Sequence, residues 1–280
     1  MINANDYPCQ PGHEDGILRR HQDDVGGFVE EVFPLVGGNV GGFVVAFDVM
    51  VFGGRTWRLF AVLVVVGLVA TGVLMLSLAE FHEEILEPDS MQMDDYVQAE
   101  VHEDATPGLT RVMLALTRIG SPEVLTPAIP VIAALLWWRR LRQAAVVWLI
   151  ATGGADVLVT VLKLYFRRVR PDLPWAFVHE PSFSFPSGHS VFAVVVYGML
   201  IYIGMRHLRR MRERVAVVVA AGALIFGIGY SRIYLGVHYP SDVAAGYFVG
   251  AMWLGTVVAA DWYLRRFRAR GTVVDATHAR

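Results

Sequence analysis

Long apolar stretches separated by short polar segments dominate the chain after residue 55. The first stretch, 59–79, runs for 21 residues without a charged side chain, which is the length that an α-helix needs to cross the apolar core of a bilayer. Five further apolar stretches follow, at 119–138, 144–165, 189–205, 215–230 and 243–260. The pattern therefore predicts an all-α protein built as a bundle of six transmembrane helices.

The composition agrees with a membrane protein. Hydrophobic residues make up 55% of the 280 residues and charged residues only 18%, and the mean hydropathy is +0.46, which is too apolar for an ordinary soluble domain. A formal net charge of −2 excludes a generally basic nucleic-acid-binding protein. Cys9 is the only cysteine, so neither an internal disulfide nor a zinc–thiolate site can form within the chain.

The basic residues predict how the helices are oriented. Arginines cluster before the first apolar stretch and after the second, fourth and sixth, and with six spans these clusters share one side of the membrane. Because cytoplasmic loops are enriched in Lys and Arg, we expect a multi-pass protein of the cell membrane with both termini in the cytoplasm. The opposite side holds 80–110, a segment with ten acidic and no basic residues, which we expect to be a solvated outer loop.

Four regions follow from this organisation. We expect 1–54 to be a largely disordered cytoplasmic segment, and 55–108 to contain the first span and the acidic outer loop. Residues 109–264 form a core with five spans, and 265–280 form a basic cytoplasmic tail. Apolar residues at helical spacing over 109–119 predict a short amphipathic helix on the outer surface, where this core begins.

Three clusters of polar residues lie at the outer ends of predicted spans, where they break the positive-inside pattern or precede an apolar run. A phosphoryl group that is being transferred carries negative charge on three equatorial oxygens, so cations and N–H donors should surround it. The clusters supply both kinds of group. The candidate site residues are Lys163, Arg170, Ser187, Gly188, His189, Arg232, His238 and Asp242.

Two of these clusters carry specific chemical hints. Lys163 is the one lysine among 24 basic residues, and it stands where a compact ammonium is useful beside the guanidinium groups of Arg170 and Arg232. Ser187 follows a proline and precedes an apolar run, which predicts an N-cap. The free N–H groups of the helix that begins there, at Gly188, are suited to bind phosphate oxygens.

Two histidines are candidates for proton transfer and nucleophilic attack. His238 and Asp242 are four residues apart, with Pro240 between them at a predicted helix start. In the first turn of that helix the carboxylate reaches one ring nitrogen, which fixes the tautomer and leaves the other nitrogen free to attack phosphorus. His189, in the first turn of another helix, is placed to protonate the leaving-group oxygen.

In order and spacing, these residues resemble the three signature motifs of the type 2 phosphatidic acid phosphatase superfamily, K-x6-RP, PSGH and SR-x5-H-x3-D, over roughly residues 109–262. The resemblance implies an enzyme that hydrolyses the terminal phosphate of a lipid phosphate or diphosphate, without metal or cofactor, at the extracytoplasmic membrane face. It implies that His238 forms a phosphohistidine, that Asp242 orients it, and that His189 protonates the leaving group and later activates water. Phosphate binding then falls to Lys163, Arg170, Ser187, Gly188 and Arg232.

The substrate and the phosphate acceptor stay open at this level. The stretch 231–242 resembles bacterial phosphatases that act on undecaprenyl diphosphate and on phosphatidylglycerophosphate, and on that resemblance we favour undecaprenyl diphosphate. Transfer of the phosphate to another lipid or a sugar, through the same intermediate, is compatible with the same residues. The expected partners are a membrane lipid phosphate and the bilayer, without nucleic acid, and the sequence leaves the oligomeric state open.

A transporter of phosphorylated lipids or anions is the alternative from another class. It predicts ionisable residues at mid-bilayer depth, but apart from Asp156 these are confined to span ends. We expect Asp156 to form a hydrogen bond to a neighbouring helix. We interpret Arg167 and Arg168, which lie inside the first motif, as surface charges or contacts to lipid headgroups.

Overall fold

The computed structural model of the protein describes residues 61–62, 64–73, 88–178, 180, 182–206 and 208–278, and these residues form helices and no strand. The all-α class is therefore confirmed for this part of the chain. The segment 1–54, for which we expected disorder, lies outside it. The helices are α1 (Val64–Val73), α2 (Pro88–Glu103), α3 (Pro107–Ile119), α4 (Pro122–Trp138), α5 (Arg142–Phe166), α6 (Gly188–Gly204), α7 (Met211–Tyr234) and α8 (Pro240–His278).

Three of the described helices are long and apolar enough to cross a membrane, namely α5, α7 and the part of α8 from Pro240 to Arg266. The pair α3 and α4 passes the same test only when taken together, across a bend of 41°. Two shorter apolar helices, α1 and α6, coincide with the remaining predicted spans. The protein is thus a helical membrane protein with three to four helices of spanning length in the described residues.

The ends of three helices are set by recognisable local signals. The last turn of α5 closes at Arg167, which adopts a left-handed conformation with φ 48°, as C-terminal capping residues often do. Ser187 is the N-cap of α6, and α8 begins at Pro240, where a proline costs no hydrogen bond. While α6 packs against α5, α7 and α8, the α5–α6 and α7–α8 connections meet at one end of these helices, where the N–H of Phe177 donates to the carbonyl of Leu235 at 3.2 Å.

A close approach of α8 to the start of α6 depends on a glycine. A Cβ atom at Gly246 would lie 2.7 Å from both the carbonyl oxygen of Ser187 and the Cβ of Ser190, closer than such atoms approach in proteins. The N–H of Ser187 also donates to the carbonyl of Asp242 at 3.0 Å. These contacts bring the first turns of α6 and α8, and therefore His189 and Asp242, into the same region.

From residue 88 on, the acidic segment does not form the solvated loop that the sequence suggested. Part of it folds as α2, in which Asp94 and Gln98 are buried at 5% and 1% exposure. The expectation of a solvated loop is wrong for this part because Asp94 and Gln98 bind partners in the α5–α6 segment, in the α7–α8 connection and at the start of α8. The amphipathic helix predicted over 109–119 is present as α3, whose Met113 packs with Tyr234, Leu235 and Val237.

A polar cluster around Asp261 connects α5, α6 and α8 at one end of the bundle. The buried carboxylate of Asp261 on α8 accepts hydrogen bonds from Gln143 at 2.7 Å and Tyr202 at 2.6 Å. Arg206 and Arg265 each donate to it at 2.8 Å. Since Gln143 opens α5 and Tyr202 and Arg206 lie at and just beyond the end of α6, this cluster lies at the bundle end opposite to the connections that carry the sequence motifs.

Candidate active site

His238 and Asp242 form a buried pair at the start of α8. Nδ1 of His238 lies 3.3 Å from Oδ2 of Asp242, and the two side chains are 1% and 0% exposed. The same carboxylate oxygen accepts from the backbone N–H of Tyr239 at 3.0 Å and from the hydroxyl of Ser184. An acceptor at Nδ1 fixes the tautomer in which Nδ1 carries the proton. The geometry thus leaves Nε2 with its lone pair.

Nε2 of His238 faces a cation. Arg170 lies with its Nη1 3.0 Å from this nitrogen, and the same atom donates to the carbonyl of Val237 at 2.7 Å. Burial lowers the pKa of His238 to about 4, although the hydrogen bond with Asp242 acts in the opposite direction. The imidazole is therefore neutral at physiological pH, which is the form that acts as a nucleophile.

A carboxylate bridges the two arginines of the site. Glu180, in the segment between α5 and α6, accepts from Arg170 at 2.9 Å and also contacts Arg232. Burial acts against ionisation, but the charges of Arg232 and Arg170 outweigh it and lower the pKa of Glu180 to about 2. The remaining contact of Arg232 is to the hydroxyl of Thr117 at 2.6 Å. One anion thus occupies the space between the two guanidinium groups.

Lys163 reaches the same region from the last turn of α5. Its ammonium contacts the carbonyl of Phe183 and lies 3.3 Å from the hydroxyl of Ser182. Arg170 binds the same serine, through Nη2 to the hydroxyl at 2.9 Å and through Nε to the carbonyl at 2.7 Å. Lys163 and Arg170 are therefore held side by side by residues that come just before α6.

The three predicted residues at the start of α6 are placed differently from one another. Gly188 and His189 line the cavity described below, and the imidazole of His189 makes no hydrogen bond to the described residues. Ser187 is fully buried, its hydroxyl has no partner in this part of the chain, and its N–H donates to Asp242. The role of Ser187 in phosphate binding stays a prediction; its own N–H is already bound to the backbone carbonyl of Asp242 in α8.

A cavity of about 790 Å³ connects these groups. At one end it is lined by Lys163, Arg170, Glu180, His189, Arg232 and His238. From there it extends between α4 and α5 along apolar side chains that include Leu125, Ile129 and Leu149. A headgroup end rich in cations and an apolar extension between two helices suit a ligand with an anionic head and an apolar tail.

Asp156 lies on the wall of this cavity. Its side chain is exposed there, and within the described residues it has no hydrogen-bond partner. The expected hydrogen bond to a neighbouring helix is therefore wrong, because the face of α5 that carries Asp156 turns towards the cavity.

The sequence interpretation missed one buried cation. Arg168, which we expected at the surface, is 7% exposed, and its Nη1 donates to Oδ1 of Asp242 at 2.7 Å. Its Nη2 donates to Asp94 at 2.8 Å. The available signal was its place inside the K-x6-RP motif, two residues before Arg170. Arg167, by contrast, is exposed as expected.

The described residues contain no cluster of three His, Cys, Asp or Glu side chains arranged to hold a metal ion. The charges near His238 that are suited to meet an anion are instead those of Lys163, Arg170 and Arg232. Three fixed cations around one neutral imidazole have the charge and the donors suited to a phosphoryl group.

Comparison with known proteins agrees with this arrangement. The PAP2 superfamily matches residues 144–266. Phosphatidylglycerophosphatase B of Bacillus subtilis is 37% identical over 165 residues, which cover 59% of this chain and 81% of that protein. An undecaprenyl-diphosphatase of Sulfolobus acidocaldarius is 31% identical, over 51% of this chain and 66% of that protein.

A solved structure is similar as well. The crystal structure of a transmembrane PAP2-type phosphatidylglycerolphosphate phosphatase from Bacillus subtilis superimposes with a TM-score of 0.64 at 33% identity, covering 71% of this chain and 98% of that one. Fold and site thus define a membrane phosphatase that acts on phosphoric esters of lipids. The chain belongs to the PAP2 superfamily.

Proposed function

We propose that this protein removes the terminal phosphate of a membrane lipid through a phosphohistidine on Nε2 of His238. The observation that carries the proposal is the orientation of that ring: Nδ1 is held by Asp242, while Nε2 faces Arg170 and a cavity that also holds Lys163 and Arg232. A neutral imidazole with one nitrogen held and the other open to an anion site has the arrangement of a nucleophile.

Phosphate binding begins with the exchange of one anion for another. The terminal phosphate takes the place of the Glu180 carboxylate between Arg170 and Arg232, and its three oxygens use the donors that the carboxylate held. The N–H groups at the start of α6, at Gly188 and His189, and the ammonium of Lys163 supply further donors. The lipid tail follows the apolar part of the cavity between α4 and α5.

The reaction proceeds in two transfers of the phosphoryl group. In the first, Nε2 of His238 attacks phosphorus, the bond from phosphorus to the leaving oxygen breaks, and His189 gives that oxygen a proton. In the second, His189 takes a proton from water, the hydroxide attacks phosphorus, and the P–N bond breaks to release orthophosphate. Asp242 stabilises the positive charge that His238 carries between the two steps.

The substrate is a lipid with an accessible terminal phosphate. Undecaprenyl diphosphate is our first candidate, supported by the sequence resemblance and by the name of the Sulfolobus relative. Phosphatidylglycerophosphate is the second, supported by the name of the Bacillus relative. Diacylglycerol diphosphate and phosphatidic acid complete the panel that distinguishes diphosphates from monoesters.

The test is phosphate release by the purified full chain in detergent, in the presence of EDTA, from each of the four lipids. We expect release by the wild type to persist with EDTA and to fall by roughly 10³-fold or more in His238→Ala, because a covalent nucleophile is lost. Wild type quenched in alkaline detergent should carry an acid-labile, base-stable phosphate, and the variant none.

The control is His102→Ala, which removes an imidazole that stacks on Trp175 at 3.9 Å and does not line the cavity. It should retain wild-type release. Undiminished release by His238→Ala would contradict the proposed nucleophile. Transfer of label to an added lipid alcohol, without orthophosphate, would show a transferase in place of a hydrolase.

We further propose that six spans cross the membrane, that both termini lie in the cytoplasm, and that the site opens on the extracytoplasmic side. Residues 109–264 are the phosphatase core in this arrangement, and 265–280 are a cytoplasmic tail. Support comes from the polarity of the bundle: the end that contains Asp261 also holds Arg206 and Arg265, and the cation-rich cavity lies at the other end.

Single cysteines test this topology, since Cys9 is the only one to replace. In a Cys9→Ser background, Asp172→Cys lies in the exposed segment after α5 and Arg209→Cys lies between α6 and α7. A membrane-impermeant maleimide added to intact cells should label the first and not the second, and both after permeabilisation. The reverse pattern would invert the proposed orientation.

A further inference from the structure

A buried chain of alternating charges connects α2 to the nucleophile. Arg168 lies at its centre, with Nη1 2.7 Å from Oδ1 of Asp242 and Nη2 2.8 Å from Oδ2 of Asp94. The side chains of the two acids and of Arg168 are all at most 7% exposed. The chain therefore runs from Asp94 through Arg168 and Asp242 to His238, without solvent between its members.

Each oxygen of Asp242 has its own set of donors. Oδ2 faces Nδ1 of His238, the hydroxyl of Ser184 and the N–H of Tyr239. Oδ1 is bound by Arg168. The guanidinium thus holds the oxygen that His238 does not use, and so fixes the rotation of the carboxylate about its last bond.

Asp94 fixes the guanidinium in turn, and with it the start of α8. Its Oδ1 accepts from the backbone N–H of Ser241 at 3.0 Å, and its Oδ2 binds both Arg168 and the hydroxyl of Ser241. One turn further along α2, Gln98 donates to the carbonyl of His238 at 3.0 Å. Helix α2, which lies before the matched PAP2 residues, thus contacts the backbone on both sides of Tyr239.

Stability alone is a poor explanation for such a chain. Burying an acid–arginine–acid triad requires removing three charges from water, and well-packed apolar residues of the same volume often give equal or greater stability. A triad whose last member orients a reacting imidazole has a second use, because a reacting group must be held to within about half an ångström of its productive position.

We propose that Arg168 and Asp94 are positioning residues of the phosphatase reaction, which hold Asp242 and therefore His238 in line with the phosphoryl group. The proposal rests on the function proposed above. Arg168 lies within the K-x6-RP motif, between its fixed Lys and Arg positions, and Asp94 lies on α2. The proposal adds both to the residues that position the nucleophile.

Charged and titratable groups reach His238 from every element packed around it. Because Arg168→Gln and Asp94→Asn leave all other groups in place, their effects on the titration of His238 can be compared. The groups are Asp94 of α2, Lys163 of α5, Arg168, Arg170 and Glu180 of the α5–α6 segment, His189 of α6, Arg232 of α7 and Asp242 of α8.

The first readout separates kcat from KM on the best lipid of the panel. We expect Arg168→Gln to lower kcat by about 10- to 100-fold, the range seen for outer-shell partners of reactive groups, and Asp94→Asn by less, since an asparagine still accepts two of the hydrogen bonds. KM should change by no more than about twofold, since the cavity cations are untouched. Matched controls are the exposed neighbours Arg167→Gln and Asp95→Asn, which should behave as the wild type.

The second readout is the acid limb of the kcat profile, which a merely structural role would not move in a defined direction. Loss of the Arg168 charge leaves the negative charge of Asp242 less compensated, so the pKa of His238 rises and the limb moves up by roughly one pH unit. Loss of the Asp94 charge does the opposite, so the limb stays in place or moves down.

Arg168→Lys guards against a variant that fails to fold, since a lysine still pairs with one of the two acids, and it should recover part of kcat. Thermal unfolding in detergent monitors folding of every variant. The proposal is overturned if Arg168→Lys and Asp94→Asn both have wild-type kcat. It is also overturned if the acid limb moves up in both Asp94→Asn and Arg168→Gln. Loss of phosphate release or of His238 dependence in the wild type overturns the proposed function instead.

Discussion

The two sides of the His238 ring are built from the same kinds of group and differ in what holds the anion. On the Nδ1 side, Asp242 is 0% exposed and is fixed by Arg168, which a second acid on α2 fixes in turn. On the Nε2 side, Arg170 and Arg232 share Glu180, whose side chain is 27% exposed and lies in the segment between α5 and α6.

Because of this difference, we expect Asp242 to stay in place during the reaction and Glu180 to be displaced. Removing Asp242 from its partners means pulling a buried charge out of α8, which leaves Arg168 with only one of its two acids and costs several kcal/mol. Withdrawing Glu180 exposes two arginines to the cavity, where a phosphate with two negative charges replaces one carboxylate. The contacts on the Nδ1 side therefore favour retention of Asp242, and those on the Nε2 side favour exchange of Glu180 for phosphate.

The largest expected effect that tests this comparison is on anion affinity. Glu180→Gln removes the competing charge, so orthovanadate and orthophosphate should inhibit at a concentration roughly three- to tenfold lower than for the wild type. KM for the lipid should fall in the same direction. Inhibition of phosphate release at fixed substrate concentration measures the first quantity, and release over a range of lipid concentrations measures KM.

The control for this variant is Asp172→Asn, an exposed acid in the same segment, which should leave inhibition unchanged. Weaker inhibition in Glu180→Gln, together with a loss of kcat, would mean that Glu180 supports the bound phosphate and does not compete with it. In that case the comparison drawn above fails, because both sides would keep their acids throughout the reaction.

The sequence predicted the residues proposed to react with or bind phosphate better than it predicted the residues that contact them from other parts of the chain. The spacing of His238 and Asp242 requires only one helical turn, so the pair follows from local structure once Pro240 begins the helix. The grouping of Lys163, Arg170 and Arg232 follows from their place at span ends. Each of these predictions depends on a short stretch of chain and on the expectation that the span ends lie at the same membrane face.

The residues that contact this central group depend on contacts between distant parts of the chain. Asp94 lies 74 residues before Arg168, in a segment whose acidic composition favoured solvent. Glu180 was not singled out, because nothing in a single sequence tells which acid of a connecting segment reaches two arginines. The hydrogen bond from the N–H of Ser187 to the backbone carbonyl of Asp242 likewise depends on the packing of α8 on α6 at Gly246, which no local pattern indicates.

The smallest expected effect concerns the His238 ring between the two sides and appears as a dependence of stability on pH. The pKa of His238 is about 4 in the folded protein against an ordinary 6.5, because burial disfavours the imidazolium. Between these values the unfolded chain binds a proton that the folded chain does not, so stability falls as pH falls from about 6.5 towards 4.

From pH 7 to pH 5 this group alone lowers the free energy of unfolding by about 2 kcal/mol, which corresponds to a few degrees in the melting temperature. His238→Gln removes the titration and keeps a hydrogen-bonding side chain, so its melting temperature should fall less over the same interval, whatever other groups contribute to both proteins. Thermal unfolding in detergent at the two pH values measures the difference. An equal fall in both proteins would mean that His238 already accepts a proton in the folded state at pH 5. Nε2, which carries the lone pair, would then be open to protons from the cavity, and the contrast between a fixed and an exchangeable side would be confined to the anions themselves.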